Sequence, residues 1–440
     1  MEINNGLFEF IKSSPTAFHA VDSIKEILIQ NGYEQLNEED AWCVKAGGKY
    51  YVIRNDSSII ALNVGNSISK SDAANPYGFN ITASHSDSPT FKLKENTEHS
   101  TKDHYVRLNV EGYGGMICSS WFDRPLSIAG RVVVKDGNSF RTQLVKIDRD
   151  LVLIPNLPIH MNREANDGFK YNKQIDLQPI FTSNTINSEG INAFIPDECG
   201  LDEDNIYGSE LYLYNRQEPT TWGKNNEFIS APRLDDLECA YTSLIAFVES
   251  ANENNINVYA CFDNEEVGSL TKQGADSTFL EDVLCRINAS LGKNEQDYMQ
   301  AIANGMMLSC DNAHALHPAH PEKYDSQNDV YMNEGIVIKS HAAQKYTSDA
   351  LSTALFKEIC DRAYVDVQYF SNRSDMAGGS TLGNISMAHV SINCVDIGLA
   401  QLSMHSAYET AGSEDPGFMV DAIKEFYNTH FCKQNGSIVL

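Results

Sequence analysis

The chain has 440 residues, 42% of them hydrophobic, with 60 acidic against 33 basic side chains and a formal net charge of −27. That length exceeds one ordinary domain and can bury a sizeable core, so two domains, or one large domain carrying an insertion, are expected. So acidic a surface repels phosphate backbones and anionic lipid, which argues against nucleic acid and membranes as partners.

Ten cysteines form no CxxC pair, and several sit in apolar runs such as VYACF and MMLSC. Buried free thiols in a reducing compartment are the expectation. The opening MEINNGLFEFIKSSP has no basic segment followed by an apolar stretch. No run approaches the ~18 apolar residues that a membrane span needs. A soluble, cytoplasmic protein is expected.

In chain order, Leu7, Phe8 and Ile11 set a helical period that breaks at SSP. Ser14 and Pro15 suit a second helix start, Phe18, Val21, Ile24 and Leu28 keep one face apolar, and Asn31–Gly32 closes it. KYYVIRN and SSIIALNVG read as strands, 69–78 as a polar loop, and FNITASHSD as a strand ending at His85. From about Thr90 to Glu227 the segments are short and β-like (YVRLNVEGYG, LSIAGRVVVKDG, FRTQLVKID, LVLIPNL, ELYLYN), broken by Gly, Asn and Asp turns. Helix and strand alternate again from Ser230. DDLECAYTSLIAFVESA, STFLEDVLCRINASL, SDALSTALFKEICDRA and GFMVDAIKEFYNTHF are helical, while INVYACF, NGMMLSCD, DVQYF and HVSINCVDIG are strands. The division expected is an α/β domain over 1–91 and 230–440, with a β-rich insertion over 92–229 suited to subunit contacts or to walling a site.

Five side chains carry the chemistry: His85 in ASHSDSP, Asp235 in RLDDL, Glu266 in DNEEVGS, Asp311 in SCDNAHALHP and His405 in LSMHSAYET. Each lies at or just after an apolar run, where an open α/β sheet presents ligands. Two His and three carboxylates suit a pair of divalent ions sharing one carboxylate, a device for metal-assisted hydrolysis. Asp87, two residues past His85, points the same way along a strand and can orient its imidazole. Asp235 follows Pro232, where an Asp also serves as a helix cap, as could Asp236. In DNEEVGS, crowded carboxylates call for a cation, and neighbouring Glu265 and Glu266 can divide the tasks of proton acceptor and ligand. Asp311, His314, His317 and His320 could form a zinc knuckle, but no thiol pair accompanies them. Asp311 is preferred as a ligand, His314 as a substrate contact, and the Pro-flanked His317 and His320 as structural.

Taken together and in order, these five motifs resemble the aspartyl aminopeptidase family of cytosolic metallopeptidases over essentially the whole chain. The resemblance implies a three-layer α/β/α metallopeptidase domain with an inserted, mostly β dimerisation domain. It implies one metal held by His85, Asp235 and Asp311 and a second by Asp235, Glu266 and His405, with Glu265 as general base. Zinc is the expected ion, with cobalt or manganese also compatible with the donor set. His314 and Asp311 match contacts near the scissile amide, and Lys339 and Tyr346 match positions that recognise the substrate side chain. Arg373 is a secondary candidate for the same task. His160 matches a residue that reaches a neighbouring subunit's active site, to touch substrate or approach the metals. Peptides with a free amino terminus are the implied substrates, and dimers assembled into a homo-dodecamer the implied assembly. Asp236 departs from relatives with Asn at that position.

Two other readings remain open at this point. One keeps the two-metal chemistry but acts on neutral amino-terminal residues or on N-acyl amino acids; the other is a non-catalytic assembly protein, which would have to lose a ligand or the base.

Overall fold

The computed structural model describes residues 2–68, 77–183 and 190–440. The polar loop expected over 69–78 therefore lies, for 69–76, outside the described residues. At the centre is a nine-stranded mixed sheet. Its four middle strands, Ile256–Phe262, Phe79–His85, Met306–Cys310 and Asn393–Gly398, run parallel to one another. Their residues are buried almost without exception, because both faces of the sheet are covered.

Alternation along the strands separates two cores. On Ile256–Phe262, Tyr259 and Cys261 face the helices Glu2–Ser13, Ala17–Gln30, Leu234–Glu249, Ala350–Ala363 and Asp415–Asn428. Val258, Ala260 and Phe262 face the opposite layer, built from Phe279–Ser290, Glu295–Ala303 and Leu382–Ser386. Helix, sheet and helix layers thus share one sheet whose side chains alternate between them. The parallel strands all deliver their carboxyl ends to one edge.

A six-stranded antiparallel sheet is made from Thr90–Thr101, Tyr105–Tyr113, Leu126–Asp136, Ser139–Lys146, Ile180–Ser183 and Ile206–Asn215. It has its own core around Phe91, Trp121, Ile128 and Leu213. A smaller five-stranded sheet, including Phe228–Ala231, Ala400–Leu402 and Glu409–Gly412, sits beside the parallel edge.

Three local expectations differ from the structure. LVLIPNL forms no strand; only the isolated bridges Leu126–Val152 and Leu153–Ile180 remain, since Pro155 and Pro158 cannot donate to a ladder. The second helix begins at Ala17 rather than at Ser14–Pro15, and the Thr16 hydroxyl is occupied by His19 Nδ1 at 2.8 Å instead of capping the helix. Asp235 and Asp236 are not helix caps. They have non-helical backbone angles after the left-handed Arg233, and Asp236 Oδ2 accepts the His85 main-chain N–H rather than one of the helix. Ten cysteines are free, and Cys239, Cys261, Cys310, Cys360 and Cys394 are buried.

Candidate metal centre

The strand ends explain why distant residues meet. Strand Phe79–His85 pairs in register with Ile256–Phe262, so His85 lies opposite Phe262 and next to the turn bearing Glu265 and Glu266. Met306–Cys310 flanks the other side and delivers Asp311. His405 arrives from the loop after Ala400–Leu402, and Asp235 from the turn after Phe228–Ala231. The strands Phe228–Ala231 and Glu409–Gly412 are paired, which ties those two approaches together.

Three groups of donor atoms result, each within 4.8 Å: His85, Asp235, Asp236 and Asp311; His85, Glu265 and Glu266; Asp235, Glu266 and His405. His85 Nε2 is 3.4 Å from Asp235 Oδ1, and His405 Nε2 is 3.3 Å from both Asp235 Oδ2 and Glu266 Oε1. Asp87 works from behind: its main-chain oxygen accepts from His85 Nδ1 at 3.1 Å. Its carboxylate accepts the amides of Glu265 at 3.1 Å and Glu266 at 3.2 Å. Asp236 Oδ2 accepts the main-chain N–H of His85 at 3.0 Å.

The electrostatics are those of a site with surplus negative charge. Burial raises the Glu265 carboxyl to about 8, with Asp311, Glu266 and Asp87 adding and His85 opposing. Burial raises Glu266 to about 7, against the pull of His405. Burial works against a charged His405, yet Asp235 and Glu266 carry its pKa up to about 11. Asp235 goes the other way: burial would raise it, but the two imidazoles hold it below the usual carboxylate range.

Do these residues fit a divalent cation? Asp235 Oδ1, Asp236 Oδ1 and Glu266 Oε1 are buried and have no hydrogen-bond partner among the described residues. Burying bare carboxylate oxygens is costly unless a cation compensates them. Imidazole and carboxylate together are a borderline donor set of the kind zinc accepts. The residues fit.

The other candidates lie around this cluster. His314 is exposed and packs edge-on to Phe370 at 5.9 Å. The crowded walls, then Lys339, push its pKa down to about 4, so its ring is neutral. Lys339 is buried, donates to the Asn312 carbonyl at 2.8 Å and lies 3.6 Å from Asp311 Oδ1. Burial opposes its charge, but Asp311 first, then Tyr346 and Asp396, keep it protonated. Tyr346 is buried, with its ring 5.7 Å from the Lys339 ammonium. Arg373 is turned to Asp375 at the surface. His317 and His320 stack on each other at 5.2 Å and belong to none of the groups above. His160 is exposed on the irregular stretch of the inserted region and also stands apart from them.

Sequence reasoning missed Glu409. Its buried carboxylate accepts the main-chain N–H of Asp235 at 3.0 Å and of His405 at 2.6 Å, holding two candidate ligands at once. Its place four residues after His405 was the available signal. Tyr113, which donates to Asp87, and Gly115, which accepts from His405, carried no recognisable motif, while Asn264 lies within DNEEVGS and donates to the Tyr113 hydroxyl.

Comparison with known proteins places the chain in a family. The model of a family described as aminopeptidase I zinc metalloprotease (M18) matches residues 10–427. A probable M18 family aminopeptidase 2 of Clostridium acetobutylicum is 47% identical over 433 residues, 97% of this chain and 99% of that protein. Its counterpart in Pseudomonas aeruginosa strain UCBPP-PA14 is 38% identical over 431 residues, 97% and 98% of the two chains. Among solved structures, the Ape4 chain of an Ape4–Nbr1 complex superposes with a TM-score of 0.92 at 34% identity, covering 97% of this chain and 85% of that one. The S. cerevesiae mApe1 dodecamer gives 0.82 at 28% identity, covering 97% and 96%. Among the described residues, no helix is long and apolar enough to cross a membrane.

Proposed function

The chain belongs to the aminopeptidase I zinc metalloprotease (M18) family and is a metal-dependent aminopeptidase; from that premise we propose that it removes acidic amino-terminal residues from peptides at a pair of divalent ions. The observation that carries this reading is the convergence of buried carboxylate oxygens on Asp235, Asp236 and Glu266 that lack hydrogen-bond partners.

His85, Asp235 and Asp311 would hold one ion, and Asp235, Glu266 and His405 the other, with zinc preferred over cobalt or manganese. The chemistry such ions supply when bound is polarisation of the scissile carbonyl and acidification of water. Glu265 takes a proton from the attacking water and returns it to the leaving amine. Its carboxyl, raised to about 8 by burial and pulled back by His85, is poised for exchange near neutral pH. Asp87 keeps that carboxyl in place through the Glu265 and Glu266 amides, and fixes the tautomer of His85. His314, neutral and exposed, is suited to donate a hydrogen bond to the developing oxyanion. The substrate's free α-amine pairs with the surplus carboxylates, which limits cleavage to the first residue.

Lys339 supports the acidic preference. One of its three ammonium hydrogens serves the Asn312 carbonyl, and Asp311 lies beyond hydrogen-bond length at 3.6 Å. A second reading has an observation of its own. Because Lys339 is buried against Asp311, it can act purely as that carboxylate's counter-charge, leaving an enzyme that prefers neutral residues.

The inserted sheet is the surface through which we expect dimers and then a dodecamer to form; the similar mApe1 structure is a dodecamer. His160 would then serve a neighbouring subunit's site, in a cytoplasmic enzyme. The deciding experiment is hydrolysis of Asp, Glu, Leu and Lys anilides and of N-acetyl-Asp, with and without chelator. Chelator-sensitive cleavage of the free acidic substrates alone supports the proposal. Preference for Leu selects the second reading, and cleavage of N-acetyl-Asp refutes the need for a free amine.

A further inference from the structure

We propose that the segment Tyr113–Ile117, where the six-stranded sheet meets the catalytic edge, is an intrachain clamp on the catalytic groups, in which Tyr113 is a positioning residue for Glu265 acting through Asp87. The inference rests on the reading of Glu265 as base and of Glu266 and His405 as ligands.

Register brings the segment there. Tyr113, the last residue of its strand, pairs with Thr90, three residues beyond Asp87. Its hydroxyl donates to Asp87 Oδ2 at 2.6 Å and accepts from Asn264 Nδ2 at 2.9 Å. Asn264 is itself fixed, because its Oδ1 accepts from Thr271 Oγ1 and Gln273 Nε2, both at 2.8 Å. The hydroxyl therefore has one direction: it takes a hydrogen from Asn264 and gives its own to Asp87. Asp87 in turn accepts the amides of Glu265 and Glu266. The turn bearing the base is thus gripped twice, at Asn264 just before it and through Asp87 at its own amides.

The next residues grip the ligands. Gly114 has φ +74°, and a Cβ there would lie 3.1 Å from the Glu266 Cβ and 3.3 Å from the Pro89 Cα. Glycine is needed both for that backbone angle and for the close approach. The Gly115 carbonyl accepts from His405 Nδ1 at 3.0 Å, which turns Nε2 towards Asp235 and Glu266. The Ile117 amide donates to the His405 carbonyl at 2.9 Å. Base (through Asp87), one ligand carboxylate and one ligand imidazole are all contacted by a single stretch of five residues.

A seam that merely held two sheets together would affect stability alone. Tyr113→Phe keeps the ring, with its edge contact to Tyr212 at 5.8 Å, and removes the hydroxyl. In the full-length zinc-loaded enzyme, kcat should fall about tenfold while KM stays within about twofold, because the loss is of positioning rather than of binding. Zinc content should not move, and the unfolding midpoint should fall only by the small amount that losing one buried hydroxyl costs. A kcat equal to that of the parent enzyme overturns the clamp. If Tyr113→Phe does not fold, Asn264→Gly removes the amide that aims the hydroxyl while tolerating the positive φ, and the same kcat comparison decides. Gly114→Ala should weaken zinc binding by about tenfold or more, read against a zinc indicator without substrate. Unchanged affinity in the folded variant overturns the ligand half of the proposal. Glu265→Gln, run alongside, separates the two levels. If it turns over normally, the base assignment and the route through it both fall; if it is inactive while Tyr113→Phe is unaltered, the clamp alone falls.

Discussion

At the floor of the candidate metal centre the side chains of His85 and Asp235 are 1% and 3% exposed, whereas on the stretch that carries His160, Met161 is 78% exposed and Ile175 66%. The floor is made of strand ends, so its backbone is committed to ladders and its carboxylates are held by amides from the same chain. The His160 stretch has no regular ladder, and apolar Leu157, Ile159 and Met161 face solvent. The candidate ligand groups at the floor thus all come from one chain. The loop presents apolar surface that one chain leaves uncovered, as a protein-binding surface does. The two regions should respond to perturbation in different ways.

The largest effect falls on the floor. Chelation should abolish activity and lower the unfolding midpoint together, because it leaves the buried carboxylates of Asp235, Asp236 and Glu266 uncompensated. Added zinc should restore both. A chelated protein that keeps its turnover would end the metal reading. Asp235→Asn comes next: it weakens both ion positions at once, and kcat/KM should drop by at least about 10²-fold with less metal bound per subunit. Full metal content by elemental analysis would rule out Asp235 as the shared ligand.

Lys339→Met divides the floor more finely. If the ammonium meets an acidic substrate, kcat/KM for Asp and Glu anilides should fall about 10²-fold and for Leu by less than about threefold, in keeping with a buried charge pair losing one partner. Equal losses on all substrates would mean that Lys339 serves Asp311 alone.

How much of this was legible beforehand follows from the same contrast. Runs such as NITAS, VYAC and MMLSC are buried on both faces, so their apolar character and their abrupt ends mark strands and the residues just past them. His85, Glu266 and Asp311 could therefore be singled out from local pattern, and the resemblance joined them to Asp235 and His405. The strand Thr90–Thr101 was not legible, because TFKLKENTEHST is polar and mostly half-exposed. Helix Glu295–Ala303 was passed over even though Asn294 and Asp297 form a capping box that can be read at that spacing. Glu409 and Tyr113 act through main-chain amides and a carboxylate far away in sequence. Such partners leave no periodicity behind, and the four-residue step from His405 to Glu409 is their one local trace.

Changing the loop should leave the floor intact. Ile159→Asp with Met161→Asp places charge where association would bury apolar surface, so light scattering should report a smaller assembly while metal content per subunit stays unchanged. An assembly of the original size would remove this stretch from the interface.

His160 offers the sharpest test of the contrast, since it sits on the loop but would work at the floor of another subunit. His160→Ala should lower kcat/KM by about tenfold with size and metal content preserved, the scale of a single positioned polar contact. Glu265→Gln should be inactive with an intact His160. If the two residues act on one substrate from different subunits, mixing the variants after dissociation and reassembly must create sites that join a good Glu265 to a good His160. Activity should then exceed the sum of the separately reassembled variants. If His160 acts within its own chain or not at all, no such site can form. The mixture would show only the residual activity of His160→Ala, and the loop would belong to assembly alone.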